Sequence, residues 1–387
     1  MGTKLKAVVG HSNDPDTKVA IAEVIEQCLT ALDNTIPQAG ILLAALDFDH
    51  AEILRCIHQT FPNLQLIGGT TSGEMSSVLE FEQDSVVLLL LCSDEIEFYT
   101  AVGYHVSSDP VAIAHETVQA IQAQTHQPVA LCITTPESLT TSGVLILQGL
   151  QQALGTQVPI IGGTTCDQWQ FKQTYQFFGQ EVLSDALPIL LISGPILLGH
   201  GLSTGWTPIG KKGIATKVLG NVLYEVDGQP ALEFYRDYLG DIPPTPAYRL
   251  AVFEPNRDSW YMRTSNGAYN EAFGSISFFG DIPPLSEIQV VGADRDRIVD
   301  SARLSMRQAL EHYPGTQPTV ALLLSCTGRI HVLGTRTKQE YQVLQAEMPA
   351  GVTCAGFYTY GEIAPLQPNG EAQFHNETFV TLLLGVE

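Results

Sequence analysis

A chain of 387 residues has room for two domains or one large repeated unit. Its 44% hydrophobic and 16% charged content supports a large buried core and excludes a disordered chain. The net charge of −22, with no basic spot denser than Lys211-Lys212, argues against nucleic acid and anionic membrane surfaces as partners.

Taken in chain order, the apolar runs form a threefold internal repeat. The first copy opens with a strand ending at Val8-Val-Gly10, and Asp14 or Asp16 then caps a helix. An apolar strand Ile41–Leu46, a second helix and a third strand lead into Gly68-Gly-Thr-Thr-Ser-Gly-Glu74. Strand Val86–Leu91 closes the unit. The second copy runs through Ala101-Val-Gly103, Asp109, Val129–Ile133, Gly162-Gly-Thr-Thr-Cys-Asp-Gln168 and Ile189–Ile192. The third runs through Val290-Val-Gly292, Asp294, Val320–Leu324, Gly356-Phe-Tyr-Thr-Tyr-Gly-Glu362 and Phe379–Leu384. Apolar strands alternating with amphipathic helices predict an α/β fold. Three βαβαβ-loop-β units, about 5–92, 96–193 and 287–385, form largely parallel or mixed sheets with helices packed on them.

Ala186–Gly210 carries no Asp, Glu, Lys or Arg, yet Ser193-Gly194-Pro195 splits it, so it reads as buried strands rather than a membrane span. Residues from about 195 to 286 do not repeat. Short alternating runs (Ile214–Leu219, Asn221–Val226, Arg249–Phe253) predict a mainly antiparallel β insertion, with one helix from Pro230 to Leu239. Gly-Asp-Ile-Pro-Pro, at 240–244 and again at 280–284, marks two loops. The domain boundary is placed at 225/226.

The seven cysteines are scattered without a C-x-x-C pair, which fits free thiols in the cytoplasm. No metal-ligand spacing, P-loop or dinucleotide fingerprint survives inspection, so no metal or cofactor is expected. Gly205–Lys211 resembles a P-loop, but Lys212 stands where Ser or Thr is required.

The three glycine-threonine loops follow strand three of each unit, at the end of the sheet where α/β proteins bind ligands. Candidate ligand-binding residues are Gly68, Gly69, Thr70, Thr71 and Glu74 in the first loop, and Thr164 and Thr165 in the second. Tyr360, Gly361 and Glu362 follow in the third, with Cys326, Thr327, Arg329, His375 and Asn376 beside it. Arg329 follows an apolar strand and suits either a ligand carboxylate or an internal Arg–Glu pair. Cys326 reads as a nucleophile lowered by Arg329, with His331 or His375 as base, or as a buried structural thiol. Phe357, Tyr358 and Tyr360 suit a pocket wall or a core.

The run Gly356–Pro365 followed by Phe374-His-Asn-Glu-Thr378 resembles the C-terminal signature of the FIST family, a sensory module. Ser325-Cys-Thr-Gly-Arg329, the two N-terminal loops and Gly201–Gly210 are similar to further FIST motifs. The resemblance covers essentially the whole chain as FIST N and FIST C domains. It implies binding of a small ligand, such as an amino acid or other small carboxylate, without catalysis. Many relatives carry a fused output domain, whereas this chain is filled by the module. Output is therefore expected through a separate signalling protein or a homo-oligomer. The readings kept beside this one are a Cys326-dependent hydrolase or acyl transferase, and a ligand-free interaction scaffold.

Overall fold

The computed structural model describes residues 4–242, 245, 249–253 and 259–387. Three six-stranded sheets each carry a layer of helices on the outer face and turn their inner faces to one another. The inner faces supply alternate residues of each strand. Ile41 and Leu43, Leu131 and Ile133, and Leu322 and Leu324 all enter one common core. Their neighbours Leu42, Cys132 and Leu323 face the helices instead. Period-two alternation with apolar residues at both phases buries both faces of every sheet.

The predicted caps hold. Asp16 accepts from Lys18 and Val19 N–H, Asp109 precedes Pro110 at the start of its helix, and Asp294 accepts from Asp296 and Arg297 N–H. Helix Thr17–Leu32 buries Ala20, Ile21, Val24, Cys28 and Leu32, one stripe at helical spacing. The uncharged stretch forms strands Ala186–Ser193 and Leu197–Ser203, and among the described residues no helix is long and apolar enough to cross a membrane.

The sheets are mixed, one of the two forms expected. Only strands two and three of each unit run parallel, Ala39–Ala44 with Gln65–Thr70 being the first such pair. The fourth strand inserts antiparallel between strands one and two. Each sheet is completed by a hairpin from another unit. Glu74–Ser76 and Glu80–Glu82 of unit one pair onto Thr353–Thr359 of unit three. Gln176–Phe178 and Glu181–Leu183 of unit two pair onto unit one. Glu362–Pro365 and Ala372–His375 of unit three pair onto Ile160–Gly163 of unit two. This cyclic exchange covers one edge of each sheet.

The start of unit three differs from the expectation. Strand Glu287–Gly292 belongs to the insertion, where it pairs with Arg249–Phe253 and Gly213–Ile214. The first strand of unit three is Leu197–Ser203, antiparallel to Phe379–Gly385. The insertion thus lies inside unit three, between its first strand and helix Arg295–His312. It is a closed antiparallel barrel, with helix Ala231–Leu239 packing Leu232 and Tyr235 into its core. The Gly280–Pro284 segment is a loop as expected, while Pro243 and Pro244 of the other copy lie outside the described residues.

Gly201 shows why this strand belongs here. A Cβ on it would stand 2.0 Å from the Ser305 carbonyl oxygen, as one on Gly10 would stand 2.3 Å from that of Val24. Both glycines let the first helix of a unit lie directly on its first strand. Gly201→Ala should therefore cost about 1–3 kcal/mol by overpacking. A lowered denaturation midpoint in urea is the expected result, and an unchanged midpoint would contradict this packing.

Candidate functional site

The three loops meet where the sheets join. Ser72 N–H donates to Tyr358 O, Cys166 N–H to Thr70 O, and Thr164 N–H to Gly361 O, at 2.9–3.1 Å. The opening glycines Gly68, Gly162 and Gly356 have a packing role, since a Cβ on each would stand 1.9–2.4 Å from a carbonyl oxygen of strand two. Gly69 makes room for the Thr165 side chain, and Phe374 packs where a Gly361 Cβ would stand. Phe357 fills the central core and Tyr358 that of unit three, so two of the three aromatics of the third loop are core residues.

Strand register identifies the equivalent positions of the three units. Gly69 pairs with Gln176, Gly163 with Glu362, and Phe357 with Glu74. The counterpart of Glu74 and Glu362 in unit two is therefore Gln176, and not Gln168 as the gapless alignment implies; Gln168 binds Asp84 at the surface. A second set agrees: the N–H groups of Ala45, Glu137 and Cys326 donate to the carbonyls of Ser85, Ala186 and Thr378.

Each of these three side chains accepts the backbone N–H that opens its unit's last strand, from Ser85, Ala186 or Thr378. In unit one, Glu74 also accepts from the Thr71 and Ser85 hydroxyls. Ser76 Oγ already accepts from Val78 and Leu79 N–H, so its own proton goes to His11 Nδ1. His11 Nε2–H then donates to Ser85 Oγ at 2.9 Å, and Ser85 donates onward to Glu74. Burial pushes the Glu74 carboxyl up to about 8 and His11 down to about 4. In unit two, Gln176 Nε2 donates to Glu137, Thr165 and Thr174. Both of these positions are filled.

Unit three is different. Glu362 accepts from Thr378 N–H and Oγ1 with Oε2 only, and its buried Oε1 has no partner. Burial pushes this carboxyl up to about 8 as well. Glu377, wholly buried at φ +61°, takes Arg249 Nε at 2.6 Å and Thr264 Oγ1 on Oε1, while its Oε2 has no partner. A Cβ on Gly328 would stand 2.2 Å from that carboxylate, so this glycine admits it. Cys326 lies between these acids. Burial, then the charges of Glu362 and Glu377, push its thiol well above the ordinary range.

Asn376 donates to Tyr360 O and accepts from Thr264 N–H. His375 Nε2 bonds Ala364 O, and Thr327 Oγ1 donates to Thr359 O. Thr164 Oγ1 is buried without a partner, and Thr70 Oγ1 accepts from Tyr175 N–H. Tyr360 leads outward. Its hydroxyl donates to the buried Asp167 and accepts from Trp169 N–H, and its ring stacks on Phe171 at 5.1 Å, which in turn stacks on Phe279. Gln168, Trp169 and Phe171 all have positive φ. Asp167 holds this strained loop by accepting from the N–H groups of residues 171–173.

Arg329 lies beside the site, donating to Glu377 O at 3.4 Å, but its other bonds are internal. Wholly buried, it donates to Glu340 and to Thr204 O, Ile298 O and Ser301 Oγ, so all its nitrogens are engaged. His331 is exposed against Trp169. The sequence reading missed Glu377, although it lies inside the Phe374–Thr378 motif. It also missed Arg249 and Thr264, which no local pattern ties to that motif, and Asp167, where a glycine stands in the other loops.

The scaffold is thus a triplicated α/β fold in which two buried acids of one unit each leave one carboxylate oxygen without a partner. The FIST N domain matches residues 38–229 and the FIST C domain residues 231–365. The chain belongs to the FIST family, whose domains are small-ligand sensory modules. An uncharacterised protein of Mycobacterium tuberculosis is 24% identical over 380 residues, covering 92% of this chain and 94% of its own. One of Mycobacterium bovis is 22% identical over 382 residues, with the same coverage. Among solved structures, a chorismatase aligns over 99% of both chains at TM-score 0.37 and a cyanuric acid hydrolase from A. caulinodans over 100% at 0.42, each 8% identical. Similarity at that level carries no argument about activity.

Proposed function

We propose that the chain is a non-catalytic sensor whose small ligand presents an ammonium or similar N–H group to Glu362 and Glu377. One observation carries this reading: of the three equivalent positions, only Glu362 keeps an oxygen without a partner. A buried acceptor left unmatched costs free energy, which a donor on the ligand recovers. Amino acids fall within this class through their ammonium group, and the stacked rings near Tyr360 suit a cation as well. The raised Cys326 thiol supports binding over nucleophilic chemistry. The acids stand where the unit-three loops meet the insertion, so a ligand with different affinity for two arrangements of these parts would carry a signal to a separate partner.

The test is a thermal-shift screen of amino acids and simple amines, with affinities measured on the hits. Binding a cation requires ionised Glu362, so affinity should rise about tenfold per pH unit up to about 8 and then level. Glu362→Gln should fold and lose the response. Full affinity in that variant would refute the assignment.

A further inference from the structure

A cavity lies between the two halves of the molecule, and its chemistry is opposite to that of the acids just described. It is an open cleft of about 430 Å³ between helix Gly143–Leu154 of unit two, the hairpin strand Ala372–His375 of unit three and the insertion, a volume suited to a small organic molecule. Arg263 lines it and is 4% exposed. Its Nε donates to Asp281 O, and its Nη1 to Met262 O and Phe374 O. Among the described residues no carboxylate pairs with it, and Nη2 has no hydrogen-bond partner. The other two buried arginines among the described residues, Arg249 and Arg329, are both bonded to glutamates.

In a chain of net charge −22, a buried guanidinium that bonds only to carbonyls, with the Asp281 carboxylate acting on it without an ion pair, is out of keeping with the rest. Burying a charge is costly unless an opposite charge meets it. The Tyr261 ring lies 4.4 Å from the guanidinium carbon and spreads the charge without neutralising it. Burial lowers Arg263 from its ordinary range, with Tyr261 and Asp281 acting against it in part, and a bound anion would act in the same sense as they do.

We infer that this cavity binds a small monoanionic carboxylate with an apolar body, whose carboxylate meets Arg263 Nη2. Only one nitrogen is open, so the contact is end-on rather than a two-nitrogen fork. Val144, Leu147, Phe253 and Phe374 offer the apolar body an apolar wall. A dianion such as phosphate would leave an uncompensated charge against one cation and these walls. Because the cavity is walled by a FIST N helix on one side and FIST C segments on the other, its occupant ties the two halves together. This site is independent of Glu362, and the two assignments fail separately.

The test is calorimetric titration of the full chain with benzoate, phenylacetate and isovalerate at millimolar concentration, with inorganic phosphate as the comparison. The expected result is one site per chain for at least one carboxylate, with phosphate bound more weakly. Arg263→Gln should weaken binding about tenfold or more. Arg263 also holds three carbonyls, so this variant risks misfolding. Val144→Trp, which plugs the cavity from the helix without touching Arg263, decides the matter in that case and should abolish binding. Glu362→Gln should leave it intact. The inference is overturned if none of the three carboxylates binds, if phosphate binds as tightly as they do, or if binding survives Val144→Trp.

Discussion

Replacing Arg329 by alanine is expected to destabilise the protein by about 3–5 kcal/mol, the usual cost of breaking a buried ion pair by removing one partner. The change strands Glu340, which would keep only the Tyr358 hydroxyl at 2.6 Å and the Ser325 hydroxyl at 3.3 Å on its other oxygen. It also removes the donors to Thr204 O, Ile298 O and Ser301 Oγ, which join the insertion's entry, the first helix of unit three and its second strand. Urea unfolding followed by circular dichroism measures this directly. The double change Arg329→Met with Glu340→Leu should recover part of the loss, because no unpaired charge remains, though the oxygens of Thr204, Ile298, Ser301 and Glu377 lose their donor. A folded Arg329→Ala protein of ordinary stability would show that the pair contributes little.

The second large effect is a loss of stability as pH rises from 6.5 to 8. Glu74 and Glu362 are each pushed from the ordinary 4.5 up to about 8, so the folded chain holds their protons after the unfolded chain has lost them. Stability falls with pH wherever the folded state binds more protons. Each acid therefore costs stability from about pH 4.5 to 8, at ~1.4 kcal/mol per pH unit. Below 6.5 buried histidines oppose this trend. His11, lowered to about 4, stays neutral while the unfolded chain takes up a proton, and burial lowers His50 and His200 in the same sense. The slope of the acids is thus unopposed above 6.5 and amounts to roughly 2 kcal/mol per acid by pH 8.

Glu74→Gln isolates one of the two. Unit two already carries glutamine at the equivalent position, where Gln176 Nε2 donates to Thr165 Oγ1 at 2.8 Å and Ala186 N–H donates to its Oε1. The new amide has Thr71 and Ser85 available in the same roles, so the variant should fold. It should lose about half of the decline between pH 6.5 and 8, measured by denaturant midpoints across that range. A wild-type midpoint that does not fall over this window would show that neither acid is buried as described.

The sequence by itself determined whatever is recorded within a few neighbouring residues. The three units appear because each repeats strands apolar at both alternating phases, a helix stripe and an aspartate cap, and the caps Asp16, Asp109 and Asp294 stand where they were read. The insertion's helix and its β character were equally legible, because proline, glycine and alternation act locally. Glu362 was singled out by its repeated loop, and Glu377 could have been, since it lies in the neighbouring motif.

Only the tertiary structure decided which strands are neighbours. Leu197–Ser203 and Glu287–Gly292 both end a strand near glycine, and either suits the opening of unit three by local pattern. The choice follows from the fit of Gly201 beneath helix Arg295–His312, a contact more than ninety positions away in the chain. Hairpin exchange is likewise invisible to local reading, because a strand's hydrogen bonds are satisfied equally well at any edge of matching geometry. That exchange makes Gln176 the counterpart of Glu362. Partner choice also decided the fate of Arg329: its sequence context suits a ligand carboxylate or Glu340 alike, and only the position of helix Lys338–Gln345 brings Glu340 against it.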